Sequence, residues 1–258
     1  WKAFRKSRGE KEDKRIRNST ALYYYFYSIG TGSIGISAFD AINEEKQELL
    51  KRFRNVFAFA YRRYMDVAQA ELQAKEAQIE LALERIRARS MAMQHSDELA
   101  ETVAVMFEQF KALGEEPERM AIEIVNEKEH VFEIWATQHG GAQLNSLIKI
   151  SLDEPLVMQK MYKAWKSKTR SITIDLLGNE LEEYFNYLKK AGLPVQRKIF
   201  GKRRVQNVAT FSKGILTIIT PEPRPQETIL LLERFAAVFD GTYTRFLDLQ
   251  KAEAQTKE

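Results

Sequence analysis

Histidine is the side chain whose charge changes near neutral pH, and it is the commonest nitrogen ligand for metals. The chain has three. His95 sits in a helical stretch beside Ser96-Asp97-Glu98, a setting in which an imidazole could accept a phosphoryl group. That chemistry calls for a His-Glu-aliphatic-Arg-Thr-Pro run and for downstream asparagine and glycine boxes to hold ATP. The residues around His95 read Met-Ala-Met-Gln-His-Ser-Asp-Glu-Leu, and no such boxes follow. His95 is therefore expected to be a solvated residue at a joint. His130 and His139 flank an apolar run without carboxylate or histidine partners at matching spacing, so no metal site and no cofactor are expected there. Gly140-Gly141-Ala142-Gln143 lacks phosphate-loop spacing and does not continue into a Gly-Gly-acid-acid-Phe signature; it predicts a turn. The chain has no cysteine, which removes disulfides, thiolate catalysis, thiolate metal sites and thioether-linked chromophores.

Two clusters could suggest nucleic acid. One is Arg197-Lys198 with Lys202-Arg203-Arg204 around Phe200; the other is the aromatic run 23–27. Basic loops are usually solvated, and aromatic residues in strands usually pack across strands. With 40 basic residues against 36 acidic ones the net charge is +4, too even to argue for nucleic acid or an anionic membrane. Trp135 and Trp165 are the candidates for a ligand pocket, since pocket walls are mostly apolar with a few polar groups. Core packing of both tryptophans is the alternative.

One stretch must position all of this. No glycine or proline occurs between Ile36 and Leu113, and Met65, Leu72, Ile79, Ile86 and Met93 fall seven apart. The intervening run AQAELQAKEAQIELALERIRARS is built of residues that lose little side-chain freedom in a helix. The pattern predicts a helix over residues 44–94, about 75 Å long at 1.5 Å per residue. A strict seven-residue repeat stays on one face only if the helix supercoils with a partner, so a parallel homodimer through this seam is expected. The intervening positions Ala68, Lys75, Ala82 and Arg89 are small or charged, which makes the seam weak.

An internal repeat sets the domain plan. Shifted by 182 residues, Gly32 meets Gly214, Arg52-Phe53 meets Arg234-Phe235, Val56-Phe57 meets Val238-Phe239, and Tyr61 meets Tyr243. About 17 of 51 positions agree without a gap, and with one gap Trp1-Lys2-Ala3-Phe4 aligns with Tyr184-Phe185-Asn186-Tyr187. The expected plan is the tail of one unit at 1–43, a connector helix at 44–95, a complete unit at 96–240 and the start of a further connector at 241–258. The absence of an initial methionine and the abrupt charged opening are read as those of a piece of a longer, cytoplasmic protein. Apolar residues make up 44% and charged residues 29%, and no apolar run approaches the length of a membrane span.

Within the complete unit, strands are expected at 120–125, 131–137, 146–151, 171–176, 205–211 and 215–220, with another pair at 21–29 and 33–38. Helices are expected over 97–113 with Ser96 as cap, after Asp153-Glu154-Pro155, from Gly178 to Gly192-Leu193-Pro194, and from about Gln226. Short turns make the sheet mainly antiparallel, and the class α+β.

The run EAQIELALERIRARSMAMQHSDELAE, with VMFEQFKALG and the closing FSKGILTIITPEPRPQETILLLERFAAVFDGTYTRFLDLQKAEAQ, resembles tandem GAF-like units with connecting signalling helices in bacterial multi-domain sensor histidine kinases. The resemblance covers residues 77–258, and 21–76 as the tail of a preceding unit. It implies a GAF-like α+β fold: about six mainly antiparallel strands, terminal helices on one face and a ligand pocket on the other. It also implies a non-catalytic regulatory module in a two-component signalling protein, relaying signals along a dimeric helix to a kinase or other output in the same chain. A purely structural dimerising spacer without ligand is the rival; an enzyme on this fold is disfavoured by the missing cysteine.

Overall fold

A computed structural model describes residues 7–9, 15, 19–144, 146–191 and 197–256. The proposed match at Trp1–Phe4 and the helix stop at Gly192-Leu193-Pro194 lie outside them. The chain divides into two compact units, 1–75 and 76–258.

In the first unit, β1 (Tyr23–Ser28) and β2 (Ser33–Ala38) form an antiparallel hairpin in which Tyr25 faces Ile36 across the strands. Ile29 N–H donates to Gly32 O at 2.9 Å and closes the turn, where Gly30 holds φ +99°. The Ile42 N–H donates to the Tyr25 hydroxyl at 3.1 Å, tying the hairpin to the start of helix α1 (Glu44–Met91). Asn43 Oδ1 accepts from the Lys46 N–H at 3.0 Å, and Glu44 and Glu45 occupy the first turn where the helix dipole favours acids. The helix runs without a break through residue 75 into the second unit.

The second unit carries one six-stranded sheet. Its members are β3 (Arg119–Asn126), β4 (Val131–Ala136), β5 (Ile148–Ser151), β6 (Ser171–Leu177), β7 (Arg203–Phe211) and β8 (Gly214–Thr220). Their order is β5-β4-β3-β8-β7-β6, and every pairing is antiparallel. Between them lie α2 (Leu99–Ala112), α3 (Met158–Lys166), α4 (Gly178–Lys190) and the single turn α5 (Arg197–Phe200); α6 (Gln226–Thr256) closes the fold. This is an α+β domain with the sheet covered on both faces.

Strand periodicity sorts the side chains into two cores. Met120 and Ile122 of β3, Trp135 of β4 and Leu216 and Ile218 of β8 point to one face. There they meet the end of α1 (Ala82, Leu83, Ile86), α2 (Val103, Phe107, Phe110) and α6 (Leu232, Phe235, Phe239). Phe110 meets Phe235 edge-on at 5.1 Å, and Phe239 stacks on Tyr243 at 5.2 Å. The alternate residues (Ala121, Phe132, Ile134, Ile174, Val208, Ile215) face α3 and α4. The terminal helices thus share one face and the internal helices take the other.

The expected seam must be corrected. Ile86 is fully buried and Met93 nearly so, both in the core shared with α2 and α6, and Ile79 packs against it. The apolar spacing of Ile86 and Met93 is used within the second unit, while Ile79 is only partly covered. Met65 and Leu72 alone of the five remain exposed. Ala82, expected in the seam, is also buried in this core. Arg89 instead holds Glu98 at 2.9 Å and Glu101 at 2.8 Å.

The junction after α1 also differs from expectation. Ser96 does not cap the next helix; it begins a short 3₁₀ turn, Ser96–Glu98. Glu98 Oε1 accepts from the Gln94 N–H at 2.8 Å and the His95 N–H at 3.0 Å. Those two N–H groups, with Arg89, pull the Glu98 carboxyl down to about 2.

The hairpin-then-helix order occurs in both units. Shifting α1's first residue by 182 reaches Gln226, the first residue of α6, and β2 likewise falls on Ile215–Thr220 within β8.

Candidate functional site

The face of the sheet under α3 and α4 holds a cavity of about 70 Å³. Its polar wall is built by Arg119 and Glu123 from β3, Arg204 and Gln206 from β7, and Tyr184 from α4. Alternation delivers them: Arg119, Ala121 and Glu123 fall on one side of β3, as Arg204, Gln206 and Val208 do on β7. Apolar walls come from Ala136, Ile150, Met158 and Ile219.

Local capping fixes the lid of helices. Glu154 is buried, and its carboxylate accepts from the N–H groups of Leu156 (2.9 Å), Val157 (2.8 Å) and Met158 (2.8 Å). An anion at the start of α3 satisfies donors that the helix cannot. The Asp153-Glu154-Pro155 start expected from sequence is thus carried by Glu154. Tyr184, Leu188 and Leu181 recur at helical spacing on α4 and are buried against the sheet.

The polar wall is unusual in what it lacks. Glu123 is 3% exposed, yet its Oε2 has no hydrogen-bond partner. The Nε of Arg204, the Nε2 of Gln206 and the Oγ1 of Thr217 are also buried without a partner in hydrogen-bonding geometry, although the Thr217 hydroxyl lies near Glu123 and the Tyr184 phenol near Gln206 and Arg204. Buried polar groups in native proteins are nearly always paired, and each exception asks for an explanation. Burial pushes the Glu123 carboxyl up to about 8, against the opposing pull of the Thr217 hydroxyl and the Arg204 charge. Near neutral pH it is mostly the uncharged acid.

Arg204 lies over the rings of Phe200 (4.9 Å) and Tyr184 (5.5 Å), a cation–π sandwich that orients the guanidinium. Burial lowers its pKa, offset by Tyr184 and Glu123. Arg119 donates through Nε to Thr137 O at 2.9 Å. Burial and then the charge of Arg204 bring its pKa down to about 10. Among the described residues no carboxylate forms an ion pair with either arginine. Burial also pushes the Tyr184 phenol up to about 12.

The tryptophans named from sequence are not brought together. Trp135 is in the core beneath the terminal helices, at the edge of a surface depression with Asp97 and Glu133. Trp165 packs at the margin of the other core and donates from Nε1 to Phe211 O at 3.1 Å. Neither lines this cavity; each borders a separate surface depression, Trp165 beside Phe211 and Asp240. His95 is exposed at the α1 junction, His130 meets Asp153 at 3.0 Å, and His139 meets Glu118 at 2.5 Å. No cluster of three or more metal-ligating side chains occurs among the described residues. Gly140 and Gly141 form the expected turn, with φ of +77° and +96°. The basic cluster is dispersed: Arg197 pairs with Glu182, Arg203 with Asp175 and Glu222, and Arg204 points inward.

The residues missed were Arg119, Glu123, Tyr184, Arg204 and Gln206. A signal existed in MAIEIV: a glutamate at mid-strand, in phase with Ala121 and Val125, on a strand whose two faces are both apolar.

No protein-family model matches the chain, and no curated protein matches it. Solved structures do. The GAF domain of a phosphoenolpyruvate-protein phosphotransferase from Acinetobacter aligns over 64% of this chain and 91% of its own, at 15% identity and TM-score 0.41. The nlh2 GAF domain of A. aeolicus in an inactive state aligns over 68% and 99%, at 14% identity and TM-score 0.41. A GAF sensor protein from Burkholderia vietnamiensis aligns over 67% and 97%, at 9% identity and TM-score 0.40. At these values the likenesses carry no argument of their own; the α+β assignment rests on the strand order and the helices. No described helix is long and apolar enough to cross a membrane.

Proposed function

We infer that the second unit is a non-catalytic, GAF-like regulatory module. It senses a small molecule in the cavity under α3 and α4 and relays occupancy to the terminal helices α1 and α6. The single observation that carries this is the set of buried, unpartnered polar atoms around the cavity, on the face opposite those helices. A ligand would supply the missing partners, and it can bias a helix arrangement only through such differential contacts.

The wider setting belongs to the same proposal: tandem units in a cytoplasmic two-component protein whose output is a histidine kinase. The repeat supports it physically. Phe235, Phe239 and Tyr243 are buried in the second unit, while their counterparts Phe53 and Phe57 are exposed in the first, and Tyr61 is half-buried. The first helix therefore carries the core pattern of a unit of the same kind. Met65 and Leu72, exposed and seven apart, are what remains for a homodimer seam.

The test is thermal denaturation of this chain against a panel of small polar metabolites, beside an Ala136→Leu variant that fills the cavity. At least one compound is expected to raise Tm of the parent chain and not of the variant. A panel without effect on either would remove the sensing role.

A further inference from the structure

The cavity's chemistry narrows its occupant, on the premise that the cavity is the sensing site. Two guanidinium groups and one carboxyl line a space of about 70 Å³. Neither arginine has a carboxylate partner among the described residues. Arg204 is 8% exposed and held between two rings, with its Nε unsatisfied. Arg119 is anchored to Thr137 O through its Nε, and its guanidinium lines the cavity. Planar guanidinium edges match a carboxylate with two parallel hydrogen bonds. Two like charges brought together under a low-dielectric wall favour a shared anion. Glu123 Oε2 and Gln206 Nε2 stand unpaired in the same wall.

We propose that this cavity binds a small organic carboxylate, its anion held by Arg119 and Arg204, with Glu123 and Gln206 meeting any further polar group it carries.

The space suits a small anion such as acetate, glycolate or lactate. Charge gives the direction of the pH effect. An ionised Glu123 would repel the incoming anion, so binding needs the uncharged acid, the state that burial favours up to about pH 8. The groups facing Glu123 are Thr217 and Ile215 from β8, Arg204 and Gln206 from β7, Ile134 from β4 and the Tyr184 phenol from α4; of these Arg204 is charged, and burial keeps the phenol neutral, pushing it up to about 12.

Calorimetric titration of the whole chain with acetate, glycolate and lactate tests this beside acetamide, methylammonium and inorganic phosphate. The carboxylates should bind, and acetamide, isosteric with acetate but uncharged, at least tenfold more weakly. Affinity for acetate should fall about tenfold per pH unit above pH 8, and the fall should vanish in Glu123→Gln. Arg119→Gln should lose at least tenfold in affinity. It is the safer variant, because Arg204 is packed between rings and its replacement can unfold the protein. Acetamide or methylammonium binding as tightly as acetate would overturn the carboxylate class and leave sensing in place. Phosphate binding above all carboxylates would overturn it in favour of an oxyanion site. Failure of all six probes, with a stable Arg119→Gln, would overturn it as well. Acetate binding with no response in α6 supports the ligand class while removing the regulatory role.

Discussion

Replacing Glu123 by Gln isolates a buried carboxyl whose Oε2 has no hydrogen-bond partner. Its carboxyl titrates near 4.5 when unfolded and at about 8 when folded, because burial disfavours the charge. Between these values the folded state holds a proton that the unfolded state has released. Stability therefore falls as pH rises through this window, at up to about 1.4 kcal/mol per pH unit. Across the window this comes to about 5 kcal/mol, and about 3 kcal/mol is already lost at pH 7. Set against a total stability of roughly 5–15 kcal/mol for a domain, the effect is large. Glutamine keeps the shape and cannot ionise. Urea denaturation of both proteins at pH 5, 6, 7, 8 and 9 reads the difference directly, since every other titrating group is common to both. The Gln variant should nearly equal the parent at pH 5, gain on it by about 1.4 kcal/mol per unit, and level off above pH 8. Parallel stability curves would mean that Glu123 is solvated or paired, and the account of the cavity would fail with it.

Other outcomes follow from single contacts. Gly141→Ala should destabilise by about 2–4 kcal/mol, because the new Cβ would stand 2.2 Å from the Phe107 ring at a φ of +96°; thermal melting with an unchanged Tm would contradict this. Phe235→Ala removes a fully buried ring shared by α2 and α6 and should cost about 3–5 kcal/mol by urea titration. Ala82→Leu should overpack the helix face of the core and lower stability by about 1–3 kcal/mol, whereas Ala68→Leu, in the first unit, should leave it nearly unchanged. Glu98 works the other way from Glu123: its pKa is lowered to about 2, so its contribution is present above about pH 4.5 and is lost as pH falls toward 2. Glu98→Gln should flatten acid unfolding over that interval.

Strand positions were legible because their period is two and their turns are marked. Glycine 140–141 and the Lys213-Gly214 pair punctuate the sheet where the chain reverses. The α1 helix was legible over nearly its whole length for the same reason, a run without glycine or proline. What a helix face packs against is another matter. The seven-residue spacing of Ile79, Ile86 and Met93 satisfies an intermolecular seam and an intramolecular core equally well, since both want an apolar stripe. Only the return of α6, 140 residues later in the chain, decides between them. The cavity was illegible for a similar reason. Arg204 belongs by sequence to a basic run, and strand alternation alone turns it inward while Arg203 pairs outward with Asp175 at 2.7 Å. Conversely, the mostly apolar make-up of pocket walls drew attention to Trp135 and Trp165, whose placement is explained by packing and, for Trp165, by one hydrogen bond to Phe211 O.

The account stands or falls on communication between the cavity and the terminal helices. Amide hydrogen exchange of the whole chain, with and without saturating acetate, addresses it residue by residue. Protection is expected to rise in β3, β7 and α4 around the cavity and to change in α6 and in residues 79–91 of α1, with Arg119→Gln needing at least tenfold more acetate for either effect. Protection confined to the cavity strands, with α6 and α1 unaltered at full occupancy, would contradict it.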